Sequence, residues 1–342
     1  MPQQEILENG PLLDERGRPQ LCGWSRSPLR RYDRGLVRAS PRRIAETDRY
    51  VLISEQKVAL FEVYDGGYLG SIGVCVADLS GKPLQAETYA VPFPLGAFEL
   101  PGDSETGSWK IRQKKLALDF AVNEGASRIV KIDAPTFGRG LGLRGAVVLT
   151  LPSRPESLVN VASWRKEPSA FRYSRSSPWY TAEGMLQLGN EELIFSRNNA
   201  WGILDWQRGV RPRRDFRYWA GACGLAAGRP FAFSLGYGAS DASLGTENAV
   251  FMDGGLHKLN QVTFHITPRD WLRPWRFAAD DKRLEMIFEP ALERSERTGV
   301  LFNVRKRRQV FGRFSGKAVL DDGETIAFSG LPGFAERCKT YF

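Results

Sequence analysis

Apolar and polar residues alternate along most of this chain with a period of two, the mark of strands that bury one face. In the run 116–122, Leu116, Leu118 and Phe120 fall on one side and Asp119 on the other. The run 58–64 stops at Asp65-Gly66-Gly67 and resumes at Tyr68, which predicts a hairpin. Further strands are predicted over 72–79, 84–93, 128–133, 146–151, 158–164 and 185–188, with Gly81-Lys82 as one of the turns. Past Arg213 the pattern predicts strands at 218–225, 230–237, 249–252, 257–266, 284–288, 310–320 and 325–329. One stretch, 104–117, carries helix-friendly residues, with Gly107 inside it.

A parallel sheet needs crossover helices, and almost none are predicted, so the chain reads as all-β. Many short antiparallel strands leave exposed edges unless they close, which favours barrels or strongly curved sheets. The 342 residues, at about 150 per domain, suit two lobes. Residues 1–48 carry turn formers such as Asn9-Gly10-Pro11 and Arg16-Gly17-Arg18-Pro19 and few periodic apolar positions, which predicts an irregular arm. The expected division is this arm, a lobe over 49–210 and a lobe over 211–342, with the seam at Arg211-Pro212-Arg213-Arg214.

Composition sharpens this picture. With 9 Trp and 20 Phe, the chain needs a large core or a cavity. Cys22, Cys75, Cys223 and Cys338 are far apart and lack zinc spacing, so they are expected to be reduced thiols. His257 and His265, an even number apart, could share a strand face but lack a third ligand, so no metal is expected. The Gly236-Tyr237-Gly238 run has no helix after it and does not make a phosphate loop. No cofactor is implied.

The net charge of +9 is concentrated in Arg26, Arg30, Arg31, Arg34, Arg38, Arg42 and Arg43, and again in Arg305, Lys306, Arg307 and Arg308. Neither cluster carries a nucleic-acid-binding motif, so nucleic acid is not an expected partner. A solvated surface or attraction to an anionic membrane explains the charge more simply. There is no secretory or lipidation signal at Met1 and no run of about 20 apolar residues. Cytoplasmic residence, peripheral to the membrane or free of it, is the expectation.

The densest chemistry lies in Asn198-Asn199-Ala200-Trp201-Gly202-Ile203-Leu204-Asp205-Trp206-Gln207-Arg208-Gly209, followed by Tyr218-Trp219. On a strand, Ile203, Asp205 and Gln207 face one way and Leu204, Trp206 and Arg208 the other. Asp205 in an apolar pocket could act as a general acid, with Trp201, Trp206 and Trp219 lining that pocket. It could equally form an ion pair with Arg208, which needs a bulge to bring the two to one face. Arg208 would oppose a carbocation but suits a ligand carboxylate. Glu247 and Asn248 are further ligand candidates, or residues of a strand-entry turn.

A set of ordered motifs resembles the family called domain of unknown function 2804. These are Gly10-Pro11-Leu12-Leu13, Gly23-Trp24 with Pro28-Leu29, the segment 204–209, Tyr218-Trp219-Ala220, Thr246-Glu247-Asn248-Ala249, the segment 254–259, the segment 311–316 and Gly333-Phe334-Ala335-Glu336. The family tends to place a Trp shortly after the last motif, where this chain has Tyr341 and Phe342. A more distant similarity joins Gly202-x-x-Asp205-Trp206-x-Arg208-Gly209 to the lipocalin-like double-barrel group of carotenoid hydratases and tocopherol cyclases. There Asp205 matches the acidic position, while Trp206 and Arg208 replace a His and a Trp. The resemblance implies two lipocalin-like, calycin-like barrels that bind a hydrophobic or acidic amphiphilic small molecule, a fatty acid or isoprenoid. Modification of that ligand by a lyase or isomerase step through Asp205 is a further option. A non-catalytic scaffold or membrane-surface module, held by the arginine-rich arm, is the alternative.

Overall fold

The computed structural model describes residues 3–123, 127–152 and 155–341. Two antiparallel sheets, one of thirteen strands and one of nine, account for nearly all of them, beside a small pair formed by Gly10–Pro11 and Arg30–Arg31. Both are strongly curved half-barrels. The first sheet begins with the meander Ile44–Ser54, Lys57–Asp65, Leu69–Asp78 and Gln85–Pro92. Its later strands return on the other side: Ala200–Val210 pairs with Ile44–Ser54 along its full length, and Glu167–Leu188 pairs with Ala200–Val210. The second sheet is centred on Arg214–Ala226, Thr325–Tyr341, Asn303–Val319 and Leu284–Val300. The chain passes from one sheet to the other between Val210 and Arg214.

Residue parity assigns every strand two duties. In Ile44–Ser54 and Ala200–Val210, the even residues Tyr50, Leu52, Leu204 and Trp206 fill the concave core of the first sheet. The odd residues Val51, Ile53 and Ile203 turn to the second sheet and pack with its Trp219, Cys223, Phe311 and Phe334. The second sheet wraps its own core of Phe233, Trp275, Phe277, Phe288 and Phe314. Its aromatic rings pack closely, with Phe288 and Phe314 stacked at 4.2 Å. The aromatic content therefore fills three apolar layers: two concave cores and the seam between the sheets.

Several sequence expectations change. The helix-friendly stretch is a hairpin, Trp109–Gln113 and Leu116–Asn123, because Trp109, Ile111, Leu116, Leu118 and Phe120 all bury one face when extended. Gly107, at φ 95°, adopts a conformation outside any right-handed helix. The single α-helical turn is Phe137–Gly140 among the described residues. The first long strand starts at Ile44 rather than near Arg49, disguised by Glu46 and Asp48, whose charges are met inside the fold. The expected strand 257–266 is two, Gly255–Lys258 and Val262–His265, so His257 and His265 do not share a strand. His257 instead accepts the Asp321 amide at Nδ1, 3.1 Å away. Trp275–Ala279 is a strand that the alternation did not reveal.

The seam sets one stability expectation. Phe334 is fully buried against Trp219, with ring centroids 4.6 Å apart. Phe334→Ala should cost about 3–5 kcal/mol in chemical denaturation, whereas Ile287→Ala, on a side chain 52% exposed, should stay within about 0.5 kcal/mol.

Candidate ligand cleft between the sheets

The face that packs Val51 and Ile203 against the second sheet also carries charges at the next odd positions. Arg49 and Asp205 lie on it from the first sheet, with Glu62 from the neighbouring strand; Arg217, Arg305, Arg307 and Glu336 face them from the second. All seven are buried, so each must find its counter-charge inside the protein. Glu62 takes Arg305 at 2.6 Å and also receives Arg307 and Arg49. Arg49 reaches on to Glu336, Nη1 to Oε1 2.7 Å, and Gln309 donates to the other Glu336 oxygen at 2.8 Å. Asp205 accepts from Arg217 at 3.2 and 3.4 Å and from Gln207 at 2.8 Å, with Arg49 3.8 Å away. Arg217 then donates through Nε to Glu247 at 2.7 Å, which also accepts from Ser174 at 2.9 Å. The Trp219 indole has Arg49 and Arg217 over its ring at 5.0 and 5.2 Å and donates to Ser234.

These pairings reshape the acids. Burial alone would raise the Glu62 carboxyl, but Arg305, Arg307 and Arg49 more than offset it and hold it well below the usual range. Burial also opposes ionisation of Glu247, and Arg217 with Arg172 brings it down to about 2. Glu336 is lowered in the same way, with Arg49 and Arg307 overcoming its burial.

One end of this seam opens into a small cleft of about 90 Å³. Tyr64, Trp164, Phe171, Val210 and Pro212 supply an apolar lining, and Arg49, Arg172, Arg217 and Arg305 supply guanidinium groups. Arg172 lies over Trp164 at 5.3 Å and gives one N–H group, Nη2, to Asp215 at 2.6 Å. Arg305 lies over Tyr64 at 4.3 Å and uses Nη1 for Glu62 and Ser71. A guanidinium has five donors, so both keep N–H groups for an anion. Asp215 also lines the cleft; its Oδ1 is buried without a hydrogen-bond partner, and burial pushes its carboxyl up against the opposing pull of Arg172.

The sequence candidates are dispersed by this arrangement. Asp205 and Arg208 do not pair, because they occupy opposite faces of one strand and no bulge intervenes there. Arg208 points into the first core, where it meets Asp48 at 2.7 Å, the carbonyls of Pro101 and Thr47, and the face of Trp206 at 4.4 Å. Asp205 borders a separate small polar cavity with Asn160, Ser174 and Ser176, not the larger cleft. Trp201 and Trp219 belong to the apolar seam, and Trp206 to the first core. Glu247 joins the ion network, and a Cβ on Gly236 would stand only 3.0 Å from its carboxylate. Asn248 clamps the backbone, accepting from Gly236 and donating to Asn260.

The cleft residues Arg172, Trp164, Tyr64 and Asp215 went unnoticed in the sequence because they lie on four different strands or loops. Arg305 and Arg307 stand out in the sequence only as part of a charge run that reads as surface. The strand period separates them from Lys306 and Arg308, and the following Gln309 and Phe311 on the same face are the signal that they turn inward.

A family model described as Domain of unknown function (DUF2804) matches residues 3–342. No curated protein matches the sequence. Among solved structures, CghA with Sch210972 is similar at a TM-score of 0.52 and 12% identity, covering 97% of this chain and 98% of that one. A second structure of CghA gives 0.51 and 12%, covering 100% and 94%. Kievitone hydratase from Nectria haematococca gives 0.46 and 8%, covering 86% and 88%. The shared feature is the lipocalin-like double-barrel fold.

The ion network predicts a defined pH response. Because folding lowers the carboxyl groups of Glu62, Glu247 and Glu336, their contribution is complete above the unfolded carboxylate value of about 4.5 and is lost as pH falls toward about 2. Glu62→Gln leaves three buried guanidinium groups short of a carboxylate and should cost about 3–5 kcal/mol at pH 7. Denaturant titrations between pH 3 and 7 should show a shallower loss on acidification in the variant than in the wild type.

Proposed function

The chain belongs to the DUF2804 family over nearly its whole length, and from that premise we propose that it binds an acidic amphiphile, of fatty-acid or acidic isoprenoid type, with its head group in the cleft between the two sheets and its tail extending from the cleft mouth. The observation that carries this reading is the lining itself, where Arg172 and Arg305 stand against Trp164 and Tyr64 with donors to spare. A guanidinium beside an aromatic wall suits a ligand with a carboxylate head and an apolar body, because the head finds charge-assisted bonds while the tail leaves water. A neutral hydrocarbon would leave those donors without an acceptor in a partly desolvated site, at a cost.

A second reading adds chemistry to binding. Asp215 offers an unpartnered oxygen at the cleft and a carboxyl pushed up by burial, the attributes of a proton donor to a bound alkene or enol. Asp205, whose oxygens are taken by Arg217 and Gln207 behind the cleft, is the weaker candidate for that step.

Isothermal titration with oleate and with methyl oleate tests the binding reading. Oleate should bind at least tenfold more tightly than its ester, and Arg172→Gln should weaken oleate about tenfold while leaving the ester nearly unchanged. Equal affinity for acid and ester, or an Arg172→Gln variant that treats them as wild type does, overturns it. Asp215→Asn should retain oleate binding, so that a loss of turnover in that variant reports chemistry rather than affinity.

A further inference from the structure

The strands Leu284–Val300, Asn303–Val319 and Thr325–Tyr341 continue beyond the part of the second sheet that holds its core. On the concave side, the core ends at Phe288, Val310 and Ala335. The residues that follow on that side are basic and lie in register. Arg297 is directly opposite Lys306, and Lys306 is directly opposite Lys339. One row inward, Arg308 is opposite Arg337, with Ser295 on its other flank. Like charges placed opposite one another destabilise a sheet. Arg308 is relieved by Glu293 at 2.5 Å, but no carboxylate among the described residues forms an ion pair with Arg297, Lys306, Arg337 or Lys339. Arg308 and Arg337 are held in place over the buried Trp271, at 4.5 and 5.0 Å from its ring.

The hairpin that joins two of these strands ends in Leu301 and Phe302, which are 73% and 87% exposed. Leu301 has φ 53°, a conformation that favours glycine, yet a large apolar residue occupies it. An exposed Leu-Phe tip beside a basic groove combines the two elements that draw a protein to a bilayer, an apolar group to bury and cations to meet lipid phosphates. By contrast, the arginine-rich arm is largely engaged: Arg26, Arg34 and Arg43 are in ion pairs with Glu156, Glu46 and Glu167, and Arg30 is buried.

We propose that the groove formed by Arg297, Lys306, Arg308, Arg337 and Lys339, together with the Leu301-Phe302 tip, docks this protein on an anionic lipid bilayer. A nucleic acid would satisfy the cations but leave the aliphatic half of the tip in water, so the bilayer is the better match. Arg305 and Thr340, which line the ligand cleft, are the immediate neighbours of Lys306 and Lys339 on the same two strands. Docking would thus hold the cleft near the surface where acidic amphiphiles accumulate, although the docking surface does not depend on what the cleft binds.

Sedimentation of the full chain with vesicles tests this. Vesicles of 70% phosphatidylcholine and 30% phosphatidylglycerol should bind the protein at least tenfold more tightly than pure phosphatidylcholine, and raising salt from about 0.05 to 0.5 M should remove most of that difference. Lys306→Gln with Lys339→Gln should lower binding to the anionic vesicles at least tenfold, at about fivefold per lost cation. The same double variant removes the like charges that face Arg297 and one another, so its melting temperature should be unchanged or raised, which separates lost docking from lost folding. Phe302→Ser should weaken binding severalfold without altering the melt. Equal binding to both vesicle types, wild-type binding by the double variant, tighter binding to a 20-nucleotide single strand than to the anionic vesicles, or loss of binding only on charge reversal of Arg31, Arg38 and Arg42 would each overturn the proposal. Oleate affinity is expected to stay the same in the double variant, so failure here and failure of the cleft reading are told apart.

Discussion

Everything at the seam depends on one constraint: guanidinium and carboxylate groups sealed between two sheets must neutralise one another, because water cannot reach them. Glu62 makes this concrete, since a single carboxylate from the first sheet receives Arg49 from its own sheet and Arg305 and Arg307 from the other. Removing any member leaves a buried charge unanswered, which costs more than the intact pair contributes. The network therefore specifies how the sheets meet. A displacement along the strands by one residue would turn Arg305 and Arg307 to the outer side of the sheet and bring Lys306 and Arg308 to face Glu62.

The same constraint shapes the cleft. Where the apolar part of the seam is complete, Val51, Ile203, Phe311 and Phe334 close it without polar groups. Where the charges stand, side chains of fixed length and direction cannot pack as densely, and space remains between Tyr64, Trp164 and Phe171. Trp219 divides the two regimes, carrying arginines over its ring while its edge packs against Phe334. The cleft inherits its chemistry from the network behind it: guanidinium groups already oriented by partners, and aromatic walls that keep them flat. Arg208 shows the opposite outcome. Its donors go to Asp48 and to backbone carbonyls, so this buried arginine, although it borders the cleft, ties Ile44–Ser54 to the Pro101 segment.

The second sheet uses its cations differently at its far end. Arg305 and Arg307 face acids of the first sheet, while Lys306 and Lys339, on the reverse of the same strands, face one another. Among the described residues no second layer covers that reverse side past the core, and the unbalanced charge is thereby left to solvent or to an outside partner. No helix among the described residues is long and apolar enough to cross a membrane.

The local pattern of residues was sufficient for the all-β class and for most of the strands. Period-two alternation and turn residues are properties of neighbours in sequence, and they marked 58–64, 116–122 and 249–252 correctly. They also split Asp205 from Arg208, since that separation follows from strand geometry alone. What alternation could not reveal is which face of a strand meets which other strand. Asp48, Arg305 and Arg307 read as surface residues because their counter-charges lie far away in the chain: Asp48 is 160 positions from Arg208, and Glu62 is more than 240 positions from Arg305 and Arg307. The cleft is a product of the same long-range meeting, since Tyr64, Arg172, Asp215 and Arg305 become neighbours only when the two sheets stack. Sequence by itself therefore determined most of the elements and the two faces of each. Tertiary structure decided which charged faces were buried, because burial of a charge depends on a partner that only the packed sheets supply.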